Sequence, residues 1–295
     1  MGIAQPYELG AVPGGRFVMG SDRHYPEERP AHPAIVDPFE IGVTTVTNRQ
    51  FAEFVADTGY RTTAEIPLES NGDEGLPLEY FAPGSLVFQM TQGQVNLQDF
   101  RNWWHFLPGA FWRMPEGPGS SIDDRQDHPV VHVSLFDALA YTDWADLSFP
   151  SEAEWEHAAR DGVETEYPWG DERTPGGVAH ANIWYGEFPW RNDRTDHVSF
   201  SMAVRAFRPS RYGLFNMIGN VWEWTKDKFR ASHLDSGKCC THGSLQSGEN
   251  YVVKGGSFLC SPSYCRRYRA SARSPQEARS STSHLGFRCV KRRAD

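Results

Sequence analysis

The segment Lys254–Arg269, KGGSFLCSPSYCRRYR, places Cys260 and Cys265 five residues apart in a stretch rich in Gly, Ser and Tyr. In an extended strand such a pair points to opposite faces and lies roughly 16 Å apart along the chain. On a helix the two side chains stand about 140° apart around the axis. Neither regular element lets the sulfurs meet, so the segment reads as a loop that reverses at SPSY, where Pro262 lies between two serines. Gly255 and Gly256 just upstream permit tight backbone approach. If the thiols converge, three outcomes are open. A disulfide across so small a loop would add a few kcal/mol at best and would tend to be reduced in cytosol. A redox-active thiol pair is the second. The third is a site for Cu(I), which thiolates select and which, as a d¹⁰ ion, tolerates two ligands and leaves room for a third sulfur or dioxygen. Spacing alone ranks them in that order. Zinc is disfavoured, because no second CxxC or HxxxH lies nearby.

The rest of the chain agrees with a fold built from loops. Its 295 residues include 10 Trp, 11 Tyr and 18 Phe, while Gly and Pro number 27 and 20. Large flat side chains, rather than long helices, must then supply the buried area. The net charge of −9 and scattered arginines exclude a basic stripe of the kind that reads nucleic acid. No run approaches the roughly 20 apolar residues of a membrane span. The N-terminal MGIAQPYELG shows no charged and apolar leader pattern, and Pro6 breaks the myristoylation pattern. A cytoplasmic protein is the expectation. Five cysteines, with Cys239 and Cys240 adjacent, make no disulfide framework of the secreted kind.

Helix signals are few. Thr47 to Gln50 reads as a capping box before Phe51, Phe54 and Val55, with a stop at Gly59. Ser134 caps a second helix whose Leu135, Ala138, Leu139 and Trp144 share a face, and Ser151 with Glu154 opens a third that Gly162 ends. VVHV (130–133) and FLC (258–260) read as short strands. The helix-poor stretch from Ile66 to Asp127 carries Trp103, Trp104 and Trp112 and is expected to be ordered. With no βαβ rhythm and no repeat, one α+β domain over 1–295 is predicted.

Several strings occur in an order that resembles a known family: GGRFVMGS, VTNRQFAEFV, HPVVHVSLFDALAY, PSEAEWEHAAR, YPWGDE, ANIWYGEFP, YGLFNMIGNVWEW, KGGSFLCSPSYCRRYRASARS and LGFRC. Together they resemble the formylglycine-generating enzymes, or sulfatase-modifying factors, from about Pro13 to Arg292. GNVWEW or GGSF alone would mark only the wider superfamily. The pair in CSPSYC discriminates, since non-catalytic relatives lack it. The resemblance implies a variant C-type-lectin-like fold with little regular secondary structure. It also implies oxidation of the cysteine in a Cys-x-Pro-x-Arg motif of an unfolded sulfatase or related hydrolase to Cα-formylglycine, with dioxygen as oxidant and Cu(I) as cofactor. A monomer is the expectation, though nothing in the sequence settles oligomeric state.

Carried over position by position, the resemblance makes Cys260 and Cys265 the copper thiolates, with the substrate cysteine as third sulfur. Ser257 takes the position of the active-site serine, suited to a hydrogen bond to oxygen or sulfur. Trp222, Tyr264, Arg273 and His284 fall on substrate-pocket positions. One structural Ca²⁺ is implied at Asn182, Ile183, Asp196 and Val198, and a second at Asn216, Gly219, Val221 and Glu223. Asn, Asp and Glu supply hard oxygens, and apolar residues serve through carbonyls. The sequence departs from the pattern at Thr142 and Ala270, where some relatives carry bridging cysteines, which leaves Cys289 as a free buried thiol. It departs again at Ser261 and His284, which bear on substrate selectivity. Two other readings compete. One is a peptide- or ligand-binding module without catalysis, which the aromatic region Trp103 to Trp112 would suit. The other is an iron-dependent sulfur oxygenase, disfavoured because the histidines are dispersed with no HxxxH pair.

Overall fold

The computed structural model describes residues 7–67, 81–194, 200–233 and 248–292. Asp196, Val198, Cys239 and Cys240 lie outside the described residues. In chain order the strands begin with β1 (Leu9–Val12), β2 (Gly15–Met19), β3 (His32–Val36) and β4 (Phe39–Gly42), followed by helix α1 (Asn48–Thr58). Next come β5 (Gly84–Phe88), β6 (Trp104–Pro108), α2 (Leu135–Trp144), α3 (Glu152–Arg160), β7 (Gly186–Glu187) and β8 (Arg191–Asn192). The chain closes with β9 (Trp222–Lys228), β10 (Asn250–Lys254), β11 (Arg273–Glu277), β12 (Leu285–Phe287) and β13 (Val290–Lys291). One sheet has the order β11-β10-β9-β12, with β12 parallel to β9, and a second has the order β1-β4-β13. The remaining strands pair as hairpins, β2 with β3, β5 with β6 and β7 with β8. The architecture is α+β and loop-rich, as expected.

All three expected helix caps form, each as a capping box. Thr47, Ser134 and Ser151 each accept from the backbone N–H three residues on, and the side chain at that third position bonds back. Such boxes satisfy two of the N–H groups that a helix start leaves without partners. Gly59 closes α1 in the left-handed region, at φ 68°. At the end of α3 that position is taken by Asp161 (φ 54°), one residue before the expected Gly162. The carboxylate of Asp161 explains the choice, since it accepts from the backbone N–H groups of Arg211 and Tyr212 at 2.6 and 3.0 Å.

The two expected strands do not form. Within VVHV, His132 has φ 59°, which no strand residue adopts. Its ring is buried, with Nδ1 at 2.8 Å from Ser85 Oγ and Nε2 at 2.8 Å from the Pro115 carbonyl, so tertiary partners set the backbone there. FLC is a turn in which the Cys260 N–H donates to the Ser257 carbonyl at 2.9 Å.

Trp112, Trp155, Trp224, Phe51, Phe54 and Phe287 lie in the main core, and a smaller cluster of Phe88, Trp103, Trp184, Phe188, Phe258 and Leu259 sits under the cysteine loop. Edge-to-face contacts dominate it: Trp103 meets Phe188 at 5.3 Å and 81°, and Trp184 meets Phe88 at 5.7 Å and 76°. Such pairs add roughly 0.5–1.5 kcal/mol each beyond area burial. Within the helix-poor region Phe88, Trp103, Trp104 and Trp112 are packed against other aromatic rings, as its composition suggested.

Candidate active site

Strand β10 ends at Lys254, and Gly255 (φ 91°) and Gly256 (φ 73°) turn the chain out of the sheet. A side chain could not stand at either glycine. A Cβ at Gly255 would lie 2.9 Å from the Met217 carbonyl, and one at Gly256 would lie 2.9 Å from the Arg267 carbonyl. The loop then reverses where the sequence predicted. The Ser261 carbonyl accepts from the N–H groups of both Tyr264 and Cys265, at 3.1 and 2.9 Å, which winds SPSYC into a single helical turn. That turn brings the Cys265 sulfur to 3.2 Å from the Cys260 sulfur. The gap exceeds the roughly 2.05 Å of a disulfide, and both residues are free thiols.

The two thiols differ in environment. Burial pushes the Cys260 thiol well above its ordinary range, and the hydrogen bond shared with Cys265 adds to this. That same hydrogen bond holds Cys265 below its ordinary range, aided against burial by the Arg267 guanidinium. These shifts favour Cys260 as the group that keeps its proton and Cys265, the more exposed of the two, as the one that loses it more readily. Arg267 is itself fixed by an ion pair with Glu27 and lies 3.9 Å above the Tyr25 ring.

Ser257 is fully buried, and its Oγ lies 3.1 Å from His284 Nδ1. Burial, then the neighbouring His132, pushes the His284 imidazole down to about 3, so it is neutral at physiological pH. The Trp104 ring meets His284 edge-on at 4.7 Å. Tyr264 is 37% exposed and stacks flat on Phe188 at 4.7 Å and 4°. Burial and the two cysteines push its hydroxyl up to about 12. Trp222 joins this group through its backbone, donating to the His284 carbonyl at 2.8 Å.

Arg273, expected in the substrate pocket, is placed elsewhere. It is 3% exposed, pairs with Glu152 at 2.8 Å, and donates to the carbonyls of Glu27 and Arg230. It belongs to a buried ionic web with Lys254, Glu152, Glu156 and Arg160. Phe188 and Arg267 were not singled out from the sequence. The charge immediately after Cys265 in CRRYR could have flagged Arg267; nothing local marks Phe188.

The copper expectation can be judged on donors. Two sulfurs within 3.2 Å form a soft set fit for Cu(I). No group of three His, Cys, Asp or Glu side chains fit for a metal is found among the described residues. The calcium expectation rests on two orphaned atoms. Asn182 Oδ1 and Asn216 Oδ1 are buried with no hydrogen-bond partner. Turning either amide would not help, because the Asn182 Nδ2 donates to Phe200 O and Asn220 Oδ1, and the Asn216 Nδ2 donates to the carbonyls of Ala203 and Val204. A buried oxygen left over in this way suits a hard cation. The two loops also touch, since a Cβ at Gly219 would lie 2.6 Å from the Asn182 carbonyl. Glu223, expected at the second calcium site, is engaged by Arg288 at 2.9 and 3.0 Å and by the Trp155 N–H at 2.7 Å. The site's unengaged side-chain acceptor is therefore Asn216. The free, buried thiol expected at Cys289 is present.

The family described as "Sulfatase-modifying factor enzyme 1-like domain" matches residues 5–293. The "Formylglycine-generating enzyme" of Mycobacterium tuberculosis is 48% identical over 290 residues, covering 96% of this chain and 97% of that one. The "Inactive C-alpha-formylglycine-generating enzyme 2" of Mus musculus is 36% identical, covering 98% and 87%. Among solved structures, PvdO from Pseudomonas aeruginosa superposes with a TM-score of 0.66 at 19% identity, over 96% and 93% of the two chains, which supports the fold. No helix among the described residues is long and apolar enough to cross a membrane.

Proposed function

The chain belongs to the sulfatase-modifying factor family, and from that premise we propose that it is a formylglycine-generating oxidase dependent on Cu(I) and dioxygen. Its substrate is the cysteine of a Cys-x-Pro-x-Arg motif in an unfolded sulfatase or related hydrolase. The observation that carries this reading is the pair of free sulfurs 3.2 Å apart at a partly exposed loop. A binding module would have no need of such a pair.

Converting a CH₂–SH group to an aldehyde removes two electrons from carbon and releases the sulfur as hydrogen sulfide. Reducing dioxygen to two waters takes four electrons, so an external thiol must supply the other two. Copper held by Cys260 and Cys265 would supply the one-electron chemistry that amino-acid side chains lack. The protein's own groups do the rest. Ser257 Oγ, held by a neutral His284, offers a hydrogen bond at the buried end of the pocket. Tyr264 on Phe188, with Trp104 behind His284, provides a flat aromatic wall for an extended peptide. Calcium at the Asn182 and Asn216 loops would hold the backbone that carries Gly255, because the Gly219 N–H donates to the Gly255 carbonyl at 2.9 Å.

The test is incubation of Cu(I)-loaded protein with a Leu-Cys-Thr-Pro-Ser-Arg peptide, dioxygen and a thiol reductant, read by mass spectrometry. Aldehyde should form with the wild type and not with Cys265→Ser. No aldehyde from the wild type, or undiminished turnover by the variant, overturns the proposal.

A further inference from the structure

A cavity of about 900 Å³ opens beside α3, between the loop around Trp169 and residues 206–218. Apart from Asn216, the calcium residue on its wall, the oxidation proposed above makes no use of it. Its size lies within the roughly 300–1,000 Å³ of ordinary ligand pockets. The floor is apolar, with Leu214 and Met217 both buried. One wall is Trp169, fixed by its N–H to the Glu172 carbonyl at 2.9 Å and stacked between Tyr167 and His180. Val178 lines it while 60% exposed, so the apolar surface reaches solvent.

The charge at this cavity is opposite to that of the chain. The whole protein carries −9, yet Arg208 and Arg211 line the cavity, are exposed, and form no ion pair among the described residues. The acid on the wall, Asp161, is engaged by the backbone N–H groups of Arg211 and Tyr212. An apolar floor under free guanidinium groups suits a ligand that carries both apolar and acidic groups.

Its position suggests which ligand. Arg266 follows Cys265 directly and pairs with Glu166 at 2.7 Å, and the next residue back, Thr165, lines the cavity. A polypeptide threaded past Cys265 would reach this cavity with on the order of ten further residues. An unfolded substrate necessarily trails chain on both sides of its reacting cysteine.

We infer that the cavity is a second binding site for the substrate polypeptide, capturing an acidic segment with Leu- or Phe-like side chains some distance from the motif. This rests on the formylglycine-generating reading. Tethering makes the second contact intramolecular and so raises affinity without new chemistry at the cysteines.

The test compares two peptides, the six-residue motif alone and the motif extended by about ten acidic and apolar residues on each side. In Arg208→Glu/Arg211→Glu, KM for the long peptide should rise about tenfold, as expected for two rim charges reversed, with kcat and the short peptide unchanged. The wild type's preference for the long peptide should also shrink at high salt. Equal loss on both peptides, or no loss on the long one, overturns the inference. A second arm measures fluorescence anisotropy of the long peptide, its cysteine replaced by Ser, on metal-free protein. Binding that is equal in wild type and double variant overturns the inference even if neither peptide is oxidised, whereas absent turnover with charge-dependent binding counts against the oxidase reading alone. Val178→Asp provides an independent variant, expected to weaken the long peptide selectively.

Discussion

Replacing Glu28 by Gln removes one negative charge from a fully enclosed site while keeping size and shape. Glu28 is 0% exposed and its partner Arg269 is 1% exposed. The carboxylate accepts from both terminal nitrogens of Arg269, at 2.8 and 2.7 Å, and from the Ser271 hydroxyl at 2.8 Å. The Gln variant leaves the Arg269 charge buried without its counter-ion, which costs about 3–5 kcal/mol. For a chain of 295 residues, an unfolding entropy of about 2.1 cal/mol/K per residue converts that loss to a fall in Tm of about 5–8 °C. Burial alone would raise the Glu28 carboxyl, but the hydrogen bond and charge of Arg269, then Ser271, hold it below its ordinary range. Its contribution is therefore present above the unfolded carboxylate value and lost as pH falls through the lower folded value, so the gap between wild type and variant should close in acid. Calorimetry across pH 7 to 3 reads both effects. A double-mutant cycle with Arg269→Met should show strong coupling. A Tm within about 1 °C of wild type, or additive effects of the two changes, would refute the assignment.

Metal-free protein should take up one Cu(I) per chain in competition with a chelator, and Cys260→Ala/Cys265→Ala should take up none at that site; equal uptake by both refutes the thiolate pair. Calcium at a hundred times its Kd should raise stability by about 3 kcal/mol per occupied site, or about 4 °C in Tm for each, and chelation should reverse it. Asn216→Ala should abolish part of that response, while a Tm indifferent to calcium sinks both sites. Burial pushes His132 down to about 4, so the unfolded chain takes up a proton near pH 6.5 that the native state refuses. Stability from this group is complete above 6.5 and falls with pH, by about 2 kcal/mol at pH 5. Between pH 7.5 and 5, urea titrations should show wild type losing about 2 kcal/mol more than His132→Asn, a residue that tolerates the left-handed backbone, and parallel curves contradict the reading.

The local signals were legible. Thr47, Ser134 and Ser151 announce helix starts because a capping box closes over three residues, and a sequence shows that distance directly. The cysteine loop was legible for a related reason: residues five apart can meet only through a reversal, and the reversal lies at Pro262. The apparent strand at VVHV misled because its backbone answers to Ser85 and to Pro115, the first of them 47 positions away.

Arg273 shows the same limit within the site. Its place in the chain suited a substrate pocket, yet its guanidinium turns to Glu152, 121 residues away. Sequence by itself determined the chemistry on offer: two soft sulfurs in a turn, hard amide oxygens at Asn182 and Asn216, and aromatics enough to build a core from loops. Tertiary structure alone decided which side chains face the thiols and which neutralise one another out of sight of solvent. Short-range geometry follows from bond lengths and dihedral angles, whereas a buried charge takes its counter-ion from whatever the folded chain brings beside it.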